Sequence, residues 1–183
     1  MPDAASSSPR GRAWRIAMRV IVPVVFAAAL WYLFTEVVRF GYVVSSSMEP
    51  TLQVGDYYTL RVDAYDGNNS PQRGEIVVYS GPDGAPYVKR VIGLGGEMIE
   101  VWFGHVLVNG QRLREPYVTG VPVMEPPRRA YVPPGTVFVL GDNREMSEDS
   151  RDYGPVPVDR LMGRVTKIVW PRQRVRALKP TQY

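Results

Sequence analysis

Polar and apolar positions along the chain fall into two textures that meet near residue 40. Residues 20–35 form 16 consecutive positions without a charge, and the flanking stretches 14–19 and 36–40 carry charges only near their ends. At about 1.5 Å per residue, those 16 positions cover about 24 Å of a hydrocarbon core about 30 Å thick, so Arg19 would have to snorkel to complete a crossing. The pattern predicts one N-terminal transmembrane helix over 14–40, with Trp14, Trp31, Tyr32 and Phe40 at the interfaces. Pro23 is tolerated in a membrane helix better than in a soluble one. Residues 1–13 are rich in Ser, Ala, Pro and Arg without a period and read as a disordered cytoplasmic tail.

Beyond residue 40 the period shortens to two. Runs rich in Val, Ile, Tyr and Phe at 57–62, 75–79, 87–92, 98–102, 105–108, 137–140 and 163–170 alternate with Gly, Pro, Asn and Asp. Phe103-Gly104 and Asn109-Gly110 read as hairpin turns. The expectation is a mostly β domain over 41–183, with a small inserted subdomain or flap near 97–135. Six prolines between 116 and 134 predict an irregular excursion there, and the polar stretch 171–183 reads as a solvated tail, with weak attraction to anionic lipid as the alternative.

Composition changes this picture in three ways. The 22 Lys+Arg and 18 Asp+Glu give +4, but Arg10, Arg12, Arg15, Arg19 and Arg39 against Asp3 and Glu36 place three of those charges in the first 40 residues. The remainder is nearly balanced and has no basic face for nucleic acid. The arginines are a topology signal: the N-terminus is expected in the cytoplasm, with a single pass and the β domain outside the cell membrane. A cleavable leader ending at Ala27-Ala28-Ala29 is the rival reading, but the apolar run continues through Leu30, Trp31, Leu33 and Phe34, which favours a retained anchor. There is no cysteine, which excludes a disulfide framework and a thiolate nucleophile. The single histidine, His105, leaves no His-rich metal site, and neither metal nor cofactor is expected.

The candidate chemistry begins at Ser45-Ser46-Ser47-Met48-Glu49-Pro50, just after the apolar segment. A serine hydroxyl needs a base to become a nucleophile. His105 sits beside a turn and reads as solvated. Lys89 lies in a strand-like run and shares a face with Tyr87 and Val91, while Arg90 points the other way with Val88 and Ile92. On an apolar face an ammonium loses hydration and its pKa falls toward the range of a general base, whereas arginine stays charged.

Three segments in order resemble bacterial type I signal peptidases, the membrane-anchored Ser/Lys proteases also called leader peptidases. They are Ser47-Met48-Glu49-Pro50-Thr51-Leu52, then Lys89-Arg90-Val91-Ile92-Gly93, then Gly141-Asp142-Asn143-Arg144 followed by Ser147, Asp149, Ser150 and Arg151. The resemblance implies an antiparallel-sheet catalytic domain with a small accessory β subdomain. It implies Ser47 as nucleophile through an acyl-enzyme, Lys89 as base, and Ser147 hydrogen-bonded to the lysine nitrogen. It implies an oxyanion hole of the Ser47 N–H and the Ser45 hydroxyl, with Asp149–Arg151 and Asp142–Arg144 as supporting ion pairs. Met48 and the residues beside Ser45 are the candidates for substrate contact. The partners implied are signal peptides of exported preproteins and the bilayer. Leu94-Gly95-Gly96-Glu97 departs from the family's usual Pro and Asp and is expected to loosen that turn. Two other classes compete: a membrane-tethered, non-catalytic β-rich binding module descended from a peptidase, and a self-cleaving repressor-type Ser/Lys protease. The second would need a DNA-recognition helix that this chain lacks.

Overall fold

The computed structural model describes residues 9–32, 38–65, 69–119, 127–181 and 183. It divides into two units, residues 1–37 and 38–183. The first contributes α1 (Pro9–Tyr32), with Pro23 inside it. The helix begins within the segment expected to be a disordered tail. The arginines at 10, 12, 15 and 19 are good helix formers. Large apolar side chains from Val20 to Tyr32 are exposed, among them Val22, Val25, Phe26 and Trp31. No helix among the described residues is long and apolar enough to cross a membrane. The uncharged part of α1 from Val20 to its end would cover about 20 Å, and the rest of the expected span, 33–37, lies outside the described residues. The last part of that span is not helical, because Val38–Phe40 belong to a strand of the second unit.

In the second unit, β1 (Val38–Tyr42), β2 (Tyr57–Arg61), β3 (Ile76–Ser80), β4 (Pro86–Gly93), β5 (Met98–Trp102), β6 (His105–Val108), β7 (Gln111–Arg112), β8 (Arg128–Tyr131), β9 (Thr136–Leu140), β10 (Val156–Pro157), β11 (Leu161–Trp170) and β12 (Arg176–Ala177) form two antiparallel sheets. The larger runs β1-β2-β11-β3-β4-β9-β10, with β12 on β11, and the smaller β7-β6-β5-β8. The smaller sheet falls within the expected insertion, and its alternation is regular. Ile99, Val101, Val106 and Val108 turn inward against Ile92, Phe138 and Leu140, while Met98 and Trp102 stay exposed. Its hairpins close at Phe103-Gly104 and Asn109-Gly110, all four residues at positive φ, as two-residue primed turns require.

Two proline-rich or polar stretches are more ordered than their composition predicts. Within the expected excursion, Arg128–Tyr131 pair with β5, so the excursion contains a strand. The C-terminal stretch is not a free tail: β12 adds to β11, Arg174 pairs with the buried Asp56, and Thr181 reaches Arg90. The Leu94–Glu97 turn is also closed rather than loose. Glu97 accepts the Leu94 N–H at 2.7 Å and pairs with Arg73, and a side chain on Gly95 would press on Pro134.

Candidate active site

Ser47 sits in a short 3₁₀ turn, Ser46–Met48, nailed to the core on its C-terminal side. Met48 and Leu52 are fully buried beside Val43, Tyr58 and Ile168, so the turn cannot lift without opening that cluster. Glu49 N–H closes the turn on the Ser46 carbonyl at 3.0 Å. Met48, expected among the substrate contacts, is a core residue that also forms part of the cleft wall.

Strand β4 crosses behind this turn and delivers Lys89. Lys89 is 3% exposed and Ser47 6%, and Lys89 Nζ lies 2.9 Å from Ser47 Oγ. Burial pushes the Lys89 ammonium below the ordinary lysine range; Asp149 and Glu148 pull it back up, and Arg151 presses it further down. Tyr87 places its ring 5.8 Å from the same nitrogen. A neutral amine at this distance can take a hydroxyl proton. Ser45, extended and exposed, makes no capping hydrogen bond to the turn; its Oγ is 3.3 Å from Ser47 Oγ.

The loop after β9 packs on the other side of the serine. Asn143 N–H donates to the Ser47 carbonyl at 3.0 Å, and its side-chain amide donates to the Ser46 carbonyl at 3.2 Å. Gly141 is obligatory here, since a Cβ would collide with Ser147 and the Ser47 carbonyl. Asp149 is wholly buried. It accepts from Gly141 N–H, from the Ser147 hydroxyl at 2.7 Å and from Arg151, and it caps α2 (Ser150–Tyr153) through a reciprocal bond with Asp152.

The structure redraws two of the expected pairings. Ser147 donates to Asp149 and not to the lysine. Asp142 and Arg144 do not pair with each other. Asp142 takes Arg90 in a two-pronged bond at 2.7 and 2.8 Å, and Arg144 pairs with Glu115. The reason is directional: Arg90 leaves β4 on the face opposite Lys89, straight into the Asp142 carboxylate, which also accepts from Thr51. Alternation along the strand placed Arg90 on that face without naming a partner for it; Thr51 and Asn143 stood in the motifs with no role assigned, and Glu115, Tyr117 and Thr181 were not singled out. The family resemblance implied the Asp142–Arg144 pair, and no local signal marks the distant ones. His105 opens β6 in the smaller sheet, exposed and bonded to Arg112.

Ser45, Ser47, Lys89 and Ser147 all line one cleft of about 730 Å³, walled by Tyr42, Val44, Tyr58 and Val88 and rimmed by Glu145, Met146 and Glu148. Among the described residues no group of His, Cys, Asp and Glu has the makings of a metal site.

A family model described as "Signal peptidase, peptidase S26" matches residues 14–170. A probable signal peptidase I-2 of Synechocystis is 38% identical over 92% of this chain and 78% of its own length. Signal peptidase I of Leptolyngbya laminosa is 38% identical over 80% of this chain and 75% of its own. Signal peptidase IB of Staphylococcus aureus is 30% identical over 86% of this chain and 88% of its own. A crystal structure of a signal peptidase I from Enterococcus faecalis is 34% identical, covers 54% of this chain and 98% of that one, and superposes with a TM-score of 0.49. On the family model and these relatives, the chain belongs to the signal peptidase I family of serine proteases, and removal of signal peptides is the activity that membership carries.

Proposed function

We propose that Ser47 and Lys89 form the dyad by which this chain cuts signal peptides from exported preproteins at the outer face of the membrane. The observation that carries the reading is the 2.9 Å approach of a buried lysine nitrogen to a buried serine oxygen at an open cleft. Neutral Lys89 takes the Ser47 proton as Oγ attacks the scissile carbonyl. The Ser47 backbone N–H and the Ser45 hydroxyl hold the oxyanion. As the tetrahedral intermediate collapses, the Lys89 ammonium gives its proton to the departing amine, leaving the acyl-enzyme. Lys89 then deprotonates a water, which displaces Ser47, and the proton returns to its oxygen. Ser147, Asp149 and Arg151 act as scaffold for the loop opposite, and Asp142 and Arg144 do so through Arg90 and Glu115. No metal or cofactor takes part, and nucleic acid is not a partner.

The bilayer is the second partner. The apolar flank of α1, preceded by Arg15 and Arg19, supports a cytoplasmic N-terminus and a single anchoring segment. On the catalytic unit, Tyr42, Tyr57 and Trp170 stand in register across β1, β2 and β11, all exposed, with the Tyr42 and Tyr57 rings 4.8 Å apart. Tyr42 also lines the cleft. An aromatic row at the cleft edge suits an interfacial position, where signal-peptide cleavage sites emerge. The test is cleavage of a preprotein with an Ala-x-Ala site by the full chain in proteoliposomes, beside Ser47→Ala, with the product's N-terminus sequenced. Cleavage after the second alanine by wild type alone is the expected result. Equal activity from Ser47→Ala would remove the dyad.

A further inference from the structure

Both arginines that brace the serine turn from behind lean on one short arm. Leaving β7, the chain passes through Glu115 and Tyr117. Glu115 holds Arg144 in a buried ion pair, and Arg144 Nε donates to the Gly141 carbonyl at 2.9 Å. Two residues on, the Tyr117 ring lies 3.9 Å from the centre of the Arg90 guanidinium. The rest of that guanidinium is taken by Asp142, by the Gly74 carbonyl at 2.9 Å and by the Thr181 hydroxyl at 3.0 Å. The Tyr117 hydroxyl is 2.7 Å from that of Tyr183, so the arm and the C-terminal segment close over Arg90 together.

This matters because of what Asp142 is joined to. Its neighbour Asn143 grips the Ser46 and Ser47 carbonyls, and its carboxylate accepts from Thr51 at the end of the serine turn. A planar cation held between a carboxylate and an aromatic face has one seat, which a lysine ammonium would not share. Fixing that plane fixes the 141–144 loop, and the loop, through the Asn143 amide, holds the Ser46 carbonyl, which shares its peptide plane with the Ser47 N–H.

We propose that Tyr117 is a positioning residue for the reaction. By seating Arg90 it holds the turn so that the Ser47 N–H points at the developing oxyanion. The inference rests on the Ser47 reading above. It goes beyond that reading by giving the arm from the accessory sheet a part in catalysis without contact with substrate. Lys89 leaves β4 on the other face, so its proton affinity does not depend on Tyr117.

The test runs wild type, Ser47→Ala, Tyr117→Ala and Tyr117→Phe in the same proteoliposome cleavage, from pH 6 to 10, with rates divided by the folded fraction from thermal melts. Tyr117→Ala is expected to lower kcat about tenfold, with KM changed less than about twofold and the pH midpoint unmoved, because a misplaced donor weakens transition-state binding alone. Tyr117→Phe, which keeps the ring over Arg90, should restore most of the rate. Wild-type kcat in folded Tyr117→Ala, or a shifted pH midpoint, would overturn the proposal. If wild type itself fails to cleave, the Ser47 reading falls instead. Should Tyr117→Ala not fold, Tyr117→Leu, which fills the space without an aromatic face for Arg90, takes its place; the same drop of about tenfold in kcat is expected, and wild-type kcat in folded Tyr117→Leu would overturn the proposal.

Discussion

Lys89 and Arg90 are neighbours on one strand, each 3% exposed, and they meet opposite fates. Lys89 faces the cleft, where burial outweighs the pull of Asp149 and Glu148 and drives its pKa down. Arg90 faces the interior, where burial is offset by the two-pronged bond and the charge of Asp142, and its pKa is raised. Equal burial thus yields a base on one face and a permanent cation on the other. What decides is the presence of a carboxylate within hydrogen-bond reach, together with the residue type, since a guanidinium does not give up its proton.

The sharpest break in the comparison is to remove the base. Lys89→Met, like Ser47→Ala, should lower kcat/KM by about 10⁴-fold or more while the fold persists, measured on the preprotein with circular dichroism alongside. Substantial turnover by Lys89→Met would move the proton transfer to another group. Breaking the opposite face should act on stability first. Asp142→Ala strands a buried guanidinium and should lower the unfolding free energy by about 3–5 kcal/mol in urea titration; a loss under about 1 kcal/mol would mean that water replaces the carboxylate at little cost. The smallest effect has the opposite sign. The folded state holds Lys89 below its unfolded pKa near 10.5, so between the two values the unfolded chain binds the extra proton and stability rises with pH. Lys89→Met removes that burdened charge. It should therefore be more stable than wild type at neutral pH, with the gain shrinking as pH approaches 10.5. A gain that does not vary with pH would assign it to packing instead.

The two faces were unequally legible in the sequence. Alternation along β4 placed Lys89 and Arg90 on opposite sides, and the apolar runs located most strands of both sheets because a half-buried strand writes its period into the chain. The smaller sheet shows this best, with strands at 98–102 and 105–108 where the pattern put them and primed turns at Phe103-Gly104 and Asn109-Gly110. Partners at long range left no such mark. Arg90 finds Asp142 52 residues away and Arg144 finds Glu115 29 away, whereas the family resemblance implied a pair between Asp142 and Arg144. The C-terminal stretch was misread for the same reason. Arg174 and Thr181 look solvated in composition, and only the fold brings Asp56 and Arg90 to them. Strand β8 was hidden by its proline-rich flanks, though its residues pair with β5 in full register.

The measurement closest to the central claim is the pH dependence of kcat/KM for signal-peptide cleavage by the full chain in proteoliposomes, from pH 5 to 10. A lysine whose burial holds it below 10.5 and whose neutral form takes the Ser47 proton predicts a rate that rises with the loss of one proton and levels off below that value. A rate that is flat across the range, or still climbing in proportion to hydroxide at pH 10, would contradict Lys89 as the base.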